Sequence, residues 1–154
     1  MDLKVGDSAP DFKMKISDNE FVELSNLRGK NIVLYFYPKD DTPGCTIEAC
    51  DFNAHKSDFA TADTLVIGVS KDNLKSHDKF KAKYELGFHL ASDLENDTCE
   101  KYGVWGEKSM MGRKYMGINR TTFLIDKEGK IAHIWRNVTA VGHAKEVLKT
   151  AEGY

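Results

Sequence analysis

Apolar and polar positions alternate in two short runs near the start of the chain. The runs DFKMKI and EFVEL flank the turn-like SDN, so residues 11–24 are predicted to form a hairpin at the edge of a sheet. The next run, NIVLYFY, is apolar throughout, which is typical of a central strand covered on both faces. TLVIGVS has the same character and predicts a second buried strand.

Between these two strands, the segment DTPGCTIEACDFNAHKSDFATA begins with residues that favour a helix start. Ile47, Ala54 and Phe59, together with Cys50 and Phe52, then recur at mostly helical spacing. We therefore predict one helix across the segment. A strand, a helix and a strand within about 40 residues form a βαβ unit, in which the crossover is right-handed and the strands are parallel.

Helical and strand patterns also alternate in the second half of the chain. KDNLKSHDKFKAKYEL predicts an amphipathic helix through Leu74, Phe80 and Tyr84, and FHLAS predicts a short strand. ENDTCEKYG predicts a short helix that ends at Gly103, whereas VWGEKSMMGRKYMGIN is interpreted as a loop. RTTFLID and KIAHIW flank KEG as a hairpin, and TAVGHAKEVLKTAE predicts a closing helix.

Together these elements predict an α/β fold with a mostly parallel central sheet and flanking helices. An N-terminal β-hairpin, and a C-terminal antiparallel hairpin followed by a helix, complete a thioredoxin-like layout. Neither an internal repeat nor a Pro/Gly/Ser-rich linker interrupts it, so residues 1–154 are interpreted as a single domain.

Composition and charge narrow the classes of function. The 22 basic and 24 acidic residues nearly cancel, so neither nucleic acid nor a membrane is expected as a partner. The N-terminal MDLKVGDSAPDF lacks a basic segment followed by a long apolar stretch, and no window approaches the roughly 20 apolar residues of a membrane span. We therefore expect a cytoplasmic protein. In that compartment its three cysteines should rest as thiols.

Two of the cysteines, Cys45 and Cys50, lie in the stretch DDTPGCTIEAC. Thr42 suits the N-cap and Pro43 the first helical position, so Cys45 is expected in the first helical turn, where free N–H groups favour a thiolate. On the spacing alone, an inertly buried thiol is an equally good interpretation. A metal site is less favoured, because C-x4-C is not the usual zinc spacing and only Cys99 and five scattered histidines remain as further ligands.

The spacing also limits how Cys45 and Cys50 can bond. Five residues apart on one helix, their Cα atoms are about 8.5 Å apart, whereas disulfides require separations below about 7 Å. A disulfide between them therefore requires the first turns of the helix to unwind. We interpret the pair as a two-state redox device rather than a resting structural bridge.

Several motifs carry a family resemblance at this point. PKDDTPGC matches the P-x-x-x-T-x-x-C pattern of the peroxiredoxins, and TPGCTIEAC resembles the bacterioferritin comigratory protein subfamily, also called peroxiredoxin Q. VGDSAPDF, LVIGVSKD, ASDLEN, KYGVWGEK and INRTTFLID follow in the expected order, so the resemblance extends over nearly the whole chain. It implies a thioredoxin-dependent thiol peroxidase that reduces hydrogen peroxide and organic hydroperoxides in antioxidant defence.

The resemblance also implies roles for individual residues. Cys45 is implied to be the peroxidatic nucleophile that becomes a sulfenic acid, and Cys50 the resolving cysteine that forms an intramolecular disulfide with it. The family's arginine falls on Arg120, which is suited to orienting both sulfur and peroxide. The implied substrate pocket combines hydrogen-bond donors with a wall against water and consists of Pro38, Thr42, Gly44, Cys45 and Arg120.

Glu48 and Cys99 are expected to contribute less to the chemistry than Cys45 and Cys50. Glu48 is given a secondary role in local hydrogen bonding, and Cys99 is expected to be a partly buried bystander. The resemblance implies no bound cofactor and no metal, a monomer, and electrons from thioredoxin that NADPH supplies through thioredoxin reductase. Two alternatives stay open: a thioredoxin-type thiol–disulfide oxidoreductase, which the absence of C-x-x-C argues against, and a non-enzymatic thiol or metal-binding module.

Overall fold

The computed structural model describes residues 2–154, which form nine strands and five α-helices. The strands are β1 (Lys13–Lys15), β2 (Phe21–Glu23), β3 (Asn31–Phe36), β4 (Thr64–Ser70), β5 (His89–Ser92), β6 (Trp105–Met110), β7 (Arg113–Ile118), β8 (Thr121–Ile125) and β9 (Ile131–Trp135). The helices are α1 (Pro43–Ala54), α2 (Lys56–Thr61), α3 (Leu74–Tyr84), α4 (Thr98–Lys101) and α5 (His143–Ala151). Both predicted hairpins, β1–β2 and β8–β9, are confirmed.

Seven of the strands form one sheet in the order β2-β1-β5-β4-β3-β8-β9. The central strands β3, β4 and β5 are parallel, as the predicted βαβ unit requires. The other pairings are antiparallel, because each terminal hairpin adds its strands to a side of this parallel centre. The sheet is therefore mixed, with the predicted parallel centre between two antiparallel hairpins.

The continuous apolar run of β3 reflects its position between two cores. All six of its residues are buried, and alternate side chains enter opposite layers. On one face, Tyr35 stacks on Phe52 of α1 with ring centroids 4.6 Å apart. On the other, Phe36 packs edge-on against Phe123 of β8 at 5.8 Å. Strand β3 thus fixes α1, which carries two of the cysteines, against the sheet.

The predicted single helix after β3 is wrong in two respects. It breaks at His55 into α1 and α2, and its buried face differs from the predicted one. Ile47 is 43% exposed, and Ala54 is exposed as well. The buried positions of α1 follow i, i+3, i+4, i+7 spacing and include one charged side chain. They are Cys45, Glu48, Ala49 and Phe52.

The segment interpreted as a loop is a separate two-stranded sheet of β6 and β7. Most of its side chains are exposed on both faces, so the sequence shows no clear apolar alternation. Its two-residue turn consists of Met111 and Gly112, with φ values of 52° and 80°. Turns with two positive φ values usually use Asn-Gly, and methionine gives no such signal.

Among residues 2–154, no helix has the length and apolar character needed to cross a membrane.

Candidate active site

Cys45 lies in the first turn of α1, just beyond the end of β3. Helix α1 begins at Pro43 after an extended Thr42, and its hydrogen-bond ladder opens with Thr46 N–H donating to the Thr42 carbonyl at 2.8 Å. The amide groups of Gly44 and Cys45 precede that ladder and point out of the helix N-terminus. Cys45 is nevertheless only 2% exposed, so its sulfur lies in a nearly dry setting at this end of the helix.

Arg120 approaches the same sulfur from the start of the strand next to β3. It directly precedes β8, whose Thr121 pairs with Phe36 at the end of β3, so the arginine lies beside the connection to α1. Its Nη2 donates a hydrogen bond to Cys45 Sγ at 3.2 Å. Its Nη1 donates to Glu48 Oε1 at 2.6 Å. One planar guanidinium thus holds the thiol and the carboxylate together.

The charge of Arg120 is secure in this setting. Burial alone disfavours it, but the Glu48 carboxylate and the Cys45 sulfur outweigh burial and raise the pKa of Arg120 above its ordinary value. The cation beside Cys45 therefore does not titrate near neutral pH.

Glu48 is fully buried, with 0% exposure. Burial raises the pKa of Glu48 from 4.5 to about 7, although Arg120 acts to lower it. Within residues 2–154, its Oε2 atom has no hydrogen-bond partner. The carboxyl group can therefore carry a proton near neutral pH. When it is protonated, it no longer offsets the positive charge of Arg120 beside the Cys45 sulfur.

Replacing Glu48 by glutamine should change how stability depends on pH. Because the folded-state pKa of Glu48, about 7, exceeds its ordinary value of 4.5, the fold favours the protonated form. This contribution is fully present below pH 4.5 and is lost as the pH rises through about 7. The free energy of unfolding of Glu48→Gln, relative to wild type, should therefore rise by up to about 3 kcal/mol between pH 4.5 and pH 8.

Denaturant unfolding of the reduced proteins across this pH range measures the difference. Glu95→Gln is the matched control, because Glu95 is exposed. Parallel pH profiles for Glu48→Gln and wild type would contradict the raised pKa of Glu48.

The structure corrects the expectation for Thr42. Its hydroxyl donates to the Lys39 carbonyl at 2.9 Å, so it makes no side-chain cap for α1. The hydroxyl hydrogen is therefore already engaged, and the oxygen is left as an acceptor rather than a donor.

Pro38 is half-buried at the start of the connection between β3 and α1. A Cβ atom on Gly44 would lie 3.2 Å from Arg120 Nη2, so glycine leaves room for the guanidinium.

Cys50 lies on the same helix as Cys45, and both are free thiols. Because α1 is continuous between them, the geometry that prevents a direct disulfide holds in this state. Partial burial, followed by the charge of Asp51, raises the pKa of Cys50 above its ordinary value.

The third cysteine, Cys99, is 0% exposed, not partly buried as expected. Burial and then Asp93 raise its pKa, which makes it an unreactive thiol.

Comparison with known proteins adds to this geometry. The AhpC/TSA family matches residues 5–134. The chain is 50% identical over 148 residues to putative peroxiredoxin bcp of Coxiella burnetii, covering 96% of this chain and 98% of the relative. It is 49% identical over 150 residues to peroxiredoxin Bcp of Bacillus subtilis, covering 97% and 96%. The chain belongs to the AhpC/TSA family.

Solved structures of this family share the fold. The bacterioferritin comigratory protein of Xanthomonas campestris is 39% identical and superposes with a TM-score of 0.91, covering 99% of this chain and 96% of that one. A PrxQ mutant from Xylella fastidiosa is 38% identical with a TM-score of 0.92, covering 99% and 98%. These matches confirm the thioredoxin-like α/β fold and the resemblance to peroxiredoxin Q.

In this AhpC/TSA-family chain, Arg120 joins Cys45 and Glu48 through hydrogen bonds and lies next to Gly44. Pro38 and Thr42 lie on the connection that precedes α1. The sequence predicted only a secondary role for Glu48, because a glutamate in the first turns of a helix is electrostatically favourable in its own right. Its spacing of three residues from Cys45 was the available signal, since positions i and i+3 share one helix face. The three-ligand cluster that residues 2–154 bring together is Asp40, Asp72 and His77, and it contains no cysteine.

Proposed function

We propose that this chain is a thiol peroxidase that reduces hydrogen peroxide and organic hydroperoxides to water and alcohols in antioxidant defence. The supporting observation is the buried Cys45 sulfur, which accepts a hydrogen bond from the charged Arg120 at 3.2 Å. The relatives are named peroxiredoxins, and the Xanthomonas campestris structure concerns alkyl peroxide reduction.

In the first step, the Cys45 thiolate attacks the terminal peroxide oxygen. A sulfur–oxygen bond forms as the O–O bond breaks, and the departing hydroxide or alkoxide takes up a proton. Arg120 and the amides at the start of α1 stabilise the developing negative charge, while Thr42 Oγ1 accepts a hydrogen bond from the hydroperoxide O–H. Pro38 shields the pocket from water, and Gly44 keeps room for the arginine.

In the second step, the sulfur of Cys50 attacks the sulfenic acid of Cys45. A disulfide forms and the sulfenic oxygen leaves as water. Because about 8.5 Å separates Cα atoms five residues apart on a helix, the first turns of α1 must unwind before this bond forms. The peroxidase thus alternates between a wound form that reacts with peroxide and an unwound form that forms the disulfide.

The reductant and the cellular setting complete the proposal. Thioredoxin, kept reduced by NADPH through thioredoxin reductase, returns the disulfide to two thiols, and no bound cofactor takes part. The protein acts in the cytoplasm as a monomer, with residues 1–154 as a single domain.

Steady-state peroxide consumption coupled to thioredoxin, thioredoxin reductase and NADPH tests this function. Wild type should turn over repeatedly. Cys50→Ser should consume about one equivalent of peroxide per chain without thioredoxin-dependent oxidation of NADPH, because its sulfenic acid has no resolving partner. Sustained thioredoxin-dependent turnover by Cys50→Ser would contradict the resolving role. Reduction of a protein disulfide substrate without peroxide consumption would instead support a thiol–disulfide oxidoreductase.

A further inference from the structure

A buried charge network lies beside the start of α1. Asp40 accepts hydrogen bonds from the Tyr37 hydroxyl at 2.5 Å and from the Ser76 hydroxyl at 2.8 Å. On α3, His77 Nδ1 lies 2.7 Å from Asp40 Oδ2. The side chains of His77 and Asp40 are only 1% and 3% exposed, so solvent does not screen their contact.

The partners of the imidazole determine its protonation state. Nε2 of His77 lies 3.1 Å from the Ala91 carbonyl oxygen, which can only accept, so Nε2 carries a hydrogen. As a carboxylate, Asp40 can accept from both hydroxyls and from Nδ1, which accounts for all three contacts. Nδ1 must then donate to Asp40. We assign the ring as an imidazolium from this hydrogen-bond network.

Each element packed around the ring is compatible with that charge. Asp72, between β4 and α3, adds a second carboxylate and accepts the Asp40 N–H at 2.9 Å. From the end of β3, the Tyr37 ring lies 6.4 Å from the imidazole, and burial raises the pKa of Tyr37 so that it stays a neutral donor. From strand β5, the Ala91 carbonyl group faces the ring. The lysines of α3 that line the same cleft are exposed to solvent: Lys75, Lys79 and Lys83.

A metal ion is the other way to explain two carboxylates and an imidazole within 4.8 Å. The contacts argue against it. The separation of 2.7 Å between Nδ1 and Oδ2 is that of a charge-assisted hydrogen bond, and the oxygens of Asp40 already accept from hydroxyl groups. The cluster is therefore an ion pair whose two members also form hydrogen bonds to neighbouring hydroxyl and carbonyl groups.

We propose that the His77–Asp40 ion pair is a positioning device that holds the β3–α1 connection in the geometry that reactive Cys45 requires. The neighbouring residue reinforces it: Asp41 has a φ of 56°, and its carboxylate accepts from Lys83 Nζ and Tyr84 Oη at 2.8 Å each. Two consecutive residues of the connection are thus tied to α3, whereas α1 itself packs on α2 and α5.

This proposal rests on the thiol-peroxidase function. Contacts with α3 hold the β3–α1 connection in place and thereby oppose the unwinding of α1. With the ion pair intact, the wound form of α1 is favoured, so Cys45 stays aligned with Arg120. Without it, the connection loosens and the unwound form gains population. Reaction with peroxide should then slow, while disulfide formation should speed up. A residue with only a structural role would not move these two rates in opposite directions.

The charge assignment is tested first, by a readout that does not depend on peroxidase activity. Nitrogen-15 NMR of the imidazole rings in the reduced protein at pH 7.5 should show both His77 ring nitrogens carrying hydrogen. In Asp40→Asn, one ring nitrogen should lose its hydrogen at this pH. A neutral His77 ring in wild type would overturn the assignment even if peroxide turnover is normal.

The positioning role is tested by stopped-flow tryptophan fluorescence, which separates peroxide oxidation from disulfide formation. His77→Gln should lower the rate constant for oxidation by roughly tenfold and raise that for disulfide formation by a similar factor. Asp40→Asn, which keeps the size of the side chain, should shift both rates in the same directions. The matched control is His89→Gln, because His89 lies on β5 outside this network, and it should leave both within about twofold.

Two results would overturn the positioning role. One is unchanged rates in both network variants. The other is a parallel fall of both rates, which would mean that the pair supports the fold alone. If wild type itself does not consume peroxide, the proposed function fails, but the nitrogen-15 experiment still decides the charge state of His77.

Discussion

Replacing Cys45 by serine should abolish peroxide turnover, lowering kcat/KM by at least about 10³-fold. A serine hydroxyl at the start of α1 keeps its proton at neutral pH, and neither the helix N-terminus nor Arg120 lowers an alcohol's pKa enough to make it a nucleophile. The reaction also requires the sulfur to take up the transferred oxygen as a sulfenic acid, which an alcohol oxygen cannot do. Coupled peroxide consumption measures the loss.

The matched control is Cys99→Ala, which removes a buried thiol away from the site. It should keep turnover close to wild type, although it leaves a small cavity in the core. Substantial activity in Cys45→Ser, or loss of activity in Cys99→Ala with an intact fold, would contradict the assignment of Cys45 as the nucleophile.

The second large effect is expected for Arg120→Lys, which should lower kcat/KM by roughly 10²–10³-fold. Lysine keeps the positive charge but lacks the planar fork that donates to Cys45 at 3.2 Å and to Glu48 at 2.6 Å at the same time. A single ammonium group pairs with the carboxylate or the sulfur, so the developing charge on the leaving oxygen loses its fixed donor.

Arg113→Lys provides the comparison, because Arg113 is exposed on β7. Peroxide kinetics on both variants separate loss of the fork from a general change of arginine to lysine. Near-normal kcat/KM in Arg120→Lys would mean that charge alone suffices at this position, and that the shared hydrogen bonds to sulfur and carboxylate do not matter for the reaction.

Much of the fold could be predicted because its signals are local. The buried run of β3, the Thr-Pro helix start before Cys45 and the two terminal hairpins each lie within a few consecutive residues. The β6–β7 hairpin was missed because its side chains are mostly exposed and its turn uses Met111 at a positive φ. The strand next to which each terminal hairpin adds to the parallel centre was not predicted, because strand neighbours depend on contacts between distant segments.

The site was predictable in its residues but not in its electrostatics. Cys45, Thr42 and Arg120 follow from the motif resemblance, yet the hydrogen-bond partner of the buried Glu48 is Arg120, 72 positions further along the chain. The His77–Asp40 contact joins residues 37 positions apart, so neither histidine spacing nor local patterns indicated it. The direction of the Thr42 hydroxyl likewise depends on the fold of the preceding turn.

We expect Cys45 and Cys50 to form a disulfide only when the start of α1 unwinds. Far-ultraviolet circular dichroism of the reduced protein, and of the same protein after one equivalent of peroxide, tests it most directly. Oxidation should remove helical signal equivalent to roughly two turns, and a dithiol should restore it, whereas Cys50→Ser should keep the full signal. A Cys45–Cys50 disulfide verified by peptide mapping, with an unchanged helical spectrum, would contradict the account.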